Sequence, residues 1–137
     1  MVFVIYEKAI GKGRPRFTRN GQTYTPDKTK RFENLVKNEA IKQLKGQLIP
    51  DYGGEVQVNI KANFEPPKST SKKKYALLLG KGCQKKPDTD NIAKIILDSL
   101  NKIAYKDDSQ VTRLKVTKAY ANTDYIEVEI KYRGIAE

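Results

Sequence analysis

The sequence predicts an α+β domain, a small mixed sheet packed by helices. Three observations predict it: an apolar β-branched opening run, VFVIYE; a strictly alternating segment, EVQVNIKANFE; and an amphipathic helix, DTDNIAKIILDSLNKIA. Elements of both kinds follow one another in the order β-loop-α-β-(α)-α-β-β, without the regular βαβ alternation of a fully parallel sheet.

Each element has its own local reason. Residues 2–7 combine apolar, β-branched and aromatic side chains and read as a strand. Residues 8–26 read as irregular, with glycines at 11, 13 and 21 and prolines at 15 and 26. A helix is expected from Thr25, as cap, to about Lys45. Phe32, Leu35, Val36, Ala40 and Leu44 keep helical spacing, and Gly46 and Pro50 end it. In 55–65, Val56, Val58, Ile60 and Ala62 share one face of a half-buried strand. SKKKYALLLG can hold a short helix stopped by Gly80. In 88–104, Ile92, Ile95, Ile96, Ser99, Leu100 and Ile103 form one stripe, and Asp90 stands where an N-cap belongs. After the loop YKDDSQ, QVTRLKVTKAYA and DYIEVEIKYR read as a hairpin turning at Asn122-Thr123.

The chain of 137 residues fits a single domain, 1–137, with no internal repeat. It shows no basic leader with a cleavage site and no apolar run long enough to cross a bilayer. A cytoplasmic protein without a membrane or small-molecule cofactor is therefore expected. Its formal charge of +11, from 27 basic and 16 acidic residues, favours a polyanionic partner, nucleic acid foremost. The single cysteine, Cys83, excludes an internal disulfide and reads as a plain loop thiol in GKGCQKK. The chain has no histidine. Ser-His-Asp and Cys-His catalysis, histidine bases and histidine-bound zinc are thereby excluded, which leaves carboxylates, lysine and a hard metal.

In so basic a chain, clustered acids need explaining. Asp88 and Asp90 stand at the start of the central helix, and Asp107 and Asp108 follow its loop. Taken singly they have ordinary readings: Asp90 as a cap, Asp90 and Lys94 as an i,i+4 ion pair, Asp107-Asp108 as a solvated turn, Asp98 as a solvated or paired surface acid. Taken together, three carboxylates that meet in space can hold one or two divalent cations through oxygen, as Mg2+ prefers. The joint reading needs Asp108 to fold back toward the helix entrance.

Residues 85–111, KKPDTDNIAKIILDSLNKIAYKDDSQV, closely resemble the core motif of the RusA family of Holliday junction resolvases. The matching elements are Asp88, Asp90 and Asn91, then Lys94, Asp98-Ser99-Leu100, Asp107-Asp108 and Gln110-Val111. GKGRPRFTRNGQTYTPDKT at 11–29 is similar to the N-terminal region of phage-type members. The resemblance implies that Asp88, Asp90 and Asp108 bind metal and that Lys94 is an active-site lysine, with Asp107 and Asn91 secondary. It also implies a RusA-like, intertwined homodimer that uses Mg2+, one or two ions per site, to nick a four-way DNA junction symmetrically, in recombination and repair. The lysine-rich segment 66–87 is longer than its counterpart in shorter members, so DNA contacts do not carry over.

Two acid-poor basic stretches are the expected phosphate contacts: Lys12, Arg14, Arg16 and Arg19 in the first, Lys72, Lys73, Lys74, Lys85 and Lys86 in the second. Phe17 and Tyr24 can stack on bases or pack internally. Opening strand 2–7 and the C-terminal hairpin are the candidate dimer contacts. Two rivals stay open: a nuclease for other branched DNA, and a non-catalytic basic DNA-binding protein whose acids are caps and turns. GKGRPR lacks the spacing of a phosphate-binding P-loop, which removes a nucleotide-binding enzyme.

Overall fold

The computed structural model describes residues 1–12, 16–24, 26–45 and 53–133. Strands β1 (Val2–Ile5), β2 (Arg16–Phe17) and β3 (Thr23–Tyr24) precede helix α1 (Asp27–Gln43). Strand β4 (Glu55–Phe64), helices α2 (Lys72–Leu78) and α3 (Thr89–Leu100), and strands β5 (Val111–Tyr120) and β6 (Tyr125–Arg133) follow. A 3-10 turn over Asp108–Gln110 leads into β5.

The main sheet runs β1-β6-β4-β5, with β4 parallel to β5 and antiparallel to β6. It is mixed, as expected. The alternation read in β4 puts Val56, Val58, Ile60 and Ala62 on the covered face, all essentially inaccessible. Phe3 and Ile5 of β1 and Ile126, Val128 and Ile130 of β6 extend that face by register. Phe32, Val36 and Ala40 of α1, with Ile92, Ile95, Ile96 and Leu100 of α3, close it in one core. The other face of the sheet is polar, as in the Asn59–Glu129 hydrogen bond of 2.8 Å.

Four expectations change. The last two strands are not a hairpin: β4 lies between them, and the turn at Asn122-Thr123 crosses its end. Ala121 N–H donates to the Phe64 carbonyl at 2.9 Å, and Glu65 N–H to Asp124 Oδ1 at 2.8 Å, tying that crossing down. The physical reason is burial: β4, the most deeply buried of the three and the one with the fewest charges, takes the centre, while β5, with Arg113, Lys115 and Lys118, lies at an edge. Second, 16–24 is not irregular; β2 pairs with β3 around Asn20-Gly21, where Gly21 has φ +77. Third, Asp88, not Asp90, is the N-cap of α3, its backbone extended at φ −72, ψ 155, and Asp90 lies in the first turn. Fourth, Cys83 is a loop thiol as read, but a buried one, because residues 80–83 dock on the β5 edge through Cys83 N–H to the Lys118 carbonyl, 3.1 Å.

Ser71 caps the short helix before Gly80 as its sequence suggests, its Oγ accepting from Lys74 N–H at 3.3 Å. Ile103 is only partly buried, since α3 stops at Leu100 and the chain turns at Lys102, φ +63. Thr25, Gly46 and Pro50 lie outside the described residues, and so does Arg14. Among the described residues, no helix is long and apolar enough to cross a membrane.

Candidate active site

The site is built around the two ends of α3. At the entrance, Asp88 is extended and its carbonyl accepts from Ile92 N–H at 3.1 Å, but its carboxylate caps nothing. Asp88, Asp90, Asn91 and Lys94 are all exposed. Neither Asp88 nor Asp90 has a side-chain hydrogen bond or ion pair to another described residue, and the expected Asp90–Lys94 pair does not form. The helix dipole favours two acids here, and no other described group bonds them.

The strap over residues 8–12 lies against this entrance. Lys12 N–H donates to the Asn91 carbonyl at 3.2 Å. A Cβ at Gly11 would sit 2.9 Å from the Asn91 Cβ and 3.3 Å from the Pro87 Cβ, so only glycine admits this approach. Lys12 Nζ bridges Glu33 of α1 at 2.9 Å and Asp98 of α3 at 3.3 Å. Burial lowers the Lys12 pKa, but the Glu33 and Asp98 carboxylates outweigh it and hold the ammonium above its ordinary value.

At the exit, the loop is fastened by Tyr105. Its ring is fully buried and its hydroxyl donates to the Leu97 carbonyl at 2.7 Å, turning the chain back along α3. Tyr132 of β6 donates to the Ala104 carbonyl at 2.9 Å. Burial first, then the nearby Asp108 and Asp98 charges, push the Tyr105 hydroxyl far above its ordinary pKa, so it stays a neutral donor.

Within the returning loop, Asp107 and Asp108 divide the work. Gln110 Oε1 accepts from the N–H groups of Lys106 and Asp107 at 2.9 and 3.2 Å, and Gln110 Nε2 donates to the Gly54 carbonyl at 3.0 Å. Ser109 Oγ donates to Asp107 Oδ2 at 3.0 Å. That bond is the first cause holding the Asp107 pKa below its ordinary value. The Asp108 pKa is raised, first by burial, then by Asp107 and Asp98, against the pull of Lys94.

The structure therefore returns the loop of Asp108 to α3, within electrostatic reach of Asp98 and Lys94. Asp90, Lys94 and Asp98 recur every four residues on one helical face, about 6 Å apart along the axis. Among the described residues, no three carboxylate, histidine or cysteine side chains are close enough to cage a metal.

Of the expected DNA contacts, Arg19 is exposed in the β2–β3 connection, Lys72, Lys73 and Lys74 are exposed in the first turn of α2, and Lys85 and Lys86 are exposed before α3. Lys12 is instead committed to Glu33 and Asp98. Arg14 and the side chains of Arg16, Phe17 and Tyr24 lie outside the described residues. Lys28, in the first turn of α1, lines the cleft beside Asp88 with Lys8 and was missed by sequence reasoning. Its signal was available in the basic run around residues 28–31.

A basic α+β domain that presents acids at both ends of one helix fits a nuclease. The model of the endodeoxyribonuclease RusA family matches residues 7–131, and the chain belongs to that family. It is also 38% identical over 136 residues to the uncharacterized protein YqaN of Bacillus subtilis strain 168, covering 94% of each chain.

Proposed function

We propose that this chain is a magnesium-dependent, structure-specific endodeoxyribonuclease that resolves four-way junctions by paired symmetric nicks. It acts as a homodimer in the cytoplasm, in DNA recombination and repair. Asp88 and Asp90 carry the reading: two exposed carboxylates without a side-chain partner among the described residues, on a helix that the Asp108 loop rejoins, in a family of endodeoxyribonucleases.

The donor chemistry suits a hard divalent cation. Mg2+ keeps several waters and is commonly held by one or two carboxylates together with substrate phosphate, so a closed three-acid cage is not required before DNA binds. Asp88 and Asp90 would supply two such oxygens and Asp108, on the returning loop, a third. When bound, the ion stabilises charge on the scissile phosphate and favours ionisation of water. Lys94 stands between the two acid groups and neutralises phosphate charge as it builds. Asn91 anchors the strap through its carbonyl, and Asp107 shapes the loop that presents Asp108.

A two-fold dimer would present two equivalent sites to a nearly two-fold junction, which makes paired nicks a matter of symmetry. The β1 edge, with Val2 and Tyr6 exposed at 49% and 80%, remains a dimer candidate. The other candidate shifts from a hairpin to the β5 edge, where Leu114 is exposed at 46%.

The test is a synthetic four-way junction incubated with and without Mg2+, the nicks mapped on each strand, beside flaps, duplex and single strands. Symmetric nicks on the junction, absent without metal, are expected. Equal cutting of every substrate would support the broader branched-DNA nuclease. No cutting with intact binding would leave a DNA-binding protein only.

A further inference from the structure

Beyond the acids, two adjoining cavities form a groove. One of about 400 Å³ is lined by Lys8, Gly11, Lys28, Lys86, Asp88 and Asn91. The second, of about 220 Å³, is walled by Phe64, Pro67, Cys83 and Tyr120, with Glu65 and Lys85 at its rim. Lys8 and Lys86 border both, so the cavities meet at these two side chains.

The two halves have different chemistry. Lys8 follows β1, Lys28 opens α1 and Lys86 precedes α3, so three separate elements bring ammonium groups to one cleft. None of the three has an ion pair with a described residue, and among the described residues Asp88 is the one acid lining that cavity. Convergent, uncompensated cations of this kind favour a polyanion backbone. In the second cavity, Phe64 and Cys83 are buried and Tyr120 is half-buried. With the Pro67 wall they leave an apolar, aromatic seat too small for a base pair.

We infer that the groove holds an unpaired stretch of DNA strand beside the acids, its phosphates on Lys8, Lys28 and Lys86 and one unstacked base against Tyr120. This rests on the nuclease reading and deepens it. A base inside duplex is stacked on both faces and cannot enter such a seat, whereas a base at a branch point or in a single strand can. The groove thus favours DNA whose strands part near the cut.

The test uses the full chain without divalent metal, so that binding is read apart from cutting. Affinity for a labelled single strand and for a duplex is measured across a salt series. Combined Lys8→Gln, Lys28→Gln and Lys86→Gln substitution should reduce the single-strand log–log slope by roughly 0.7 per lysine. Combined Lys61→Gln, Lys115→Gln and Lys131→Gln substitution, on the opposite sheet face, should leave it unchanged. An unchanged slope in the groove variant, or an equal drop in the control, overturns the groove.

For the base seat, Tyr120→Ala should weaken single-strand binding roughly five- to a hundredfold, the range for losing one base stack, and spare duplex. Tyr120→Phe should bind like the wild type. Equal loss on both substrates, or none, overturns the seat. Because Tyr120→Ala can loosen the β5 edge, the wild-type protein is also photocrosslinked to a 5-iodouracil-bearing single strand. An adduct on Tyr120 or Phe64 supports the seat, and adducts confined to other residues overturn it. If junctions are cut while the groove variants bind normally, the groove alone fails; if the variants behave as expected but no junction is cut, the resolvase reading alone fails.

Discussion

Acids stand at both ends of α3, in opposite settings. At the entrance, Asp88 and Asp90 are exposed and make no side-chain bond within the described residues. At the exit, Asp107 is held by Ser109, its backbone N–H is taken by Gln110, and the loop is plugged by a fully buried Tyr105. The bonded acid at the exit has a visible structural use. Under the proposed function the entrance acids are the ones left for chemistry. Asp108 is the exception, carried by the architecture yet within electrostatic reach of Asp98 and Lys94.

The largest expected effect separates the two ends outright. Asp88→Asn or Asp90→Asn should lower junction cutting by roughly a thousandfold, the upper end for losing one electrostatic stabiliser. Thermal stability should stay near the wild-type value, and junction binding should hold or tighten as negative charge leaves the phosphate path. Cutting by Asp88→Asn at the wild-type rate would erase the distinction between the ends.

The asymmetry was partly legible in the residues. The isoleucine stripe of α3 and the alternation of β4 are periodic, and both faces are buried as the periods require. The return of Asp108 was not legible, because it depends on Tyr105 reaching the Leu97 carbonyl, and one aromatic in a loop has no period. Asn20-Gly21 did carry a hairpin signal, hidden among glycines and prolines that suggested irregular chain. Strand order also escaped: adjacent strands with a short turn favour a hairpin locally, and only the competition for the sheet centre puts β4 between them. Lys12 looked like its basic neighbours until Glu33 and Asp98, distant in sequence, came within ion-pair reach.

At the exit, Tyr105→Ala should destabilise the fold by about 3–5 kcal/mol, the range for truncating a buried aromatic. Cutting should fall with it even under conditions where the variant is folded, because Asp108 is no longer returned to α3. Denaturant titration reads the first effect and single-turnover cutting the second. A stable Tyr105→Ala variant with full activity would mean that the loop positions nothing.

Tyr105→Phe sharpens the same end more gently. Loss of the hydroxyl leaves the Leu97 carbonyl without that donor and should cost about 1 kcal/mol at neutral pH. The pH dependence has a definite sign. The folded-state pKa of Tyr105 is raised above its unfolded value near 10, so its contribution is full below about pH 10 and declines as pH rises toward the folded value. The wild type should lose stability across this alkaline window, and Tyr105→Phe should lose less of it. Parallel alkaline melting curves for the two proteins would count against the buried hydroxyl as the cause.

The smallest effect concerns the strap that joins both ends. Lys12, Glu33 and Asp98 are 20%, 15% and 30% exposed at their side chains, so solvent screens the cluster, and Lys12→Met should cost no more than about 1 kcal/mol. Methionine keeps much of the stem's packing, so what is lost is the cation between two carboxylates. Because the folded Lys12 pKa lies above its ordinary value, this stabilisation is complete at neutral pH and disappears only in strong alkali. A double-mutant cycle with Glu33→Gln should show coupling, whereas the salt slope of DNA binding should not change, since an ammonium held by two acids is not free to neutralise phosphate. A slope reduced by about one would return Lys12 to the DNA contacts its basic neighbourhood first suggested.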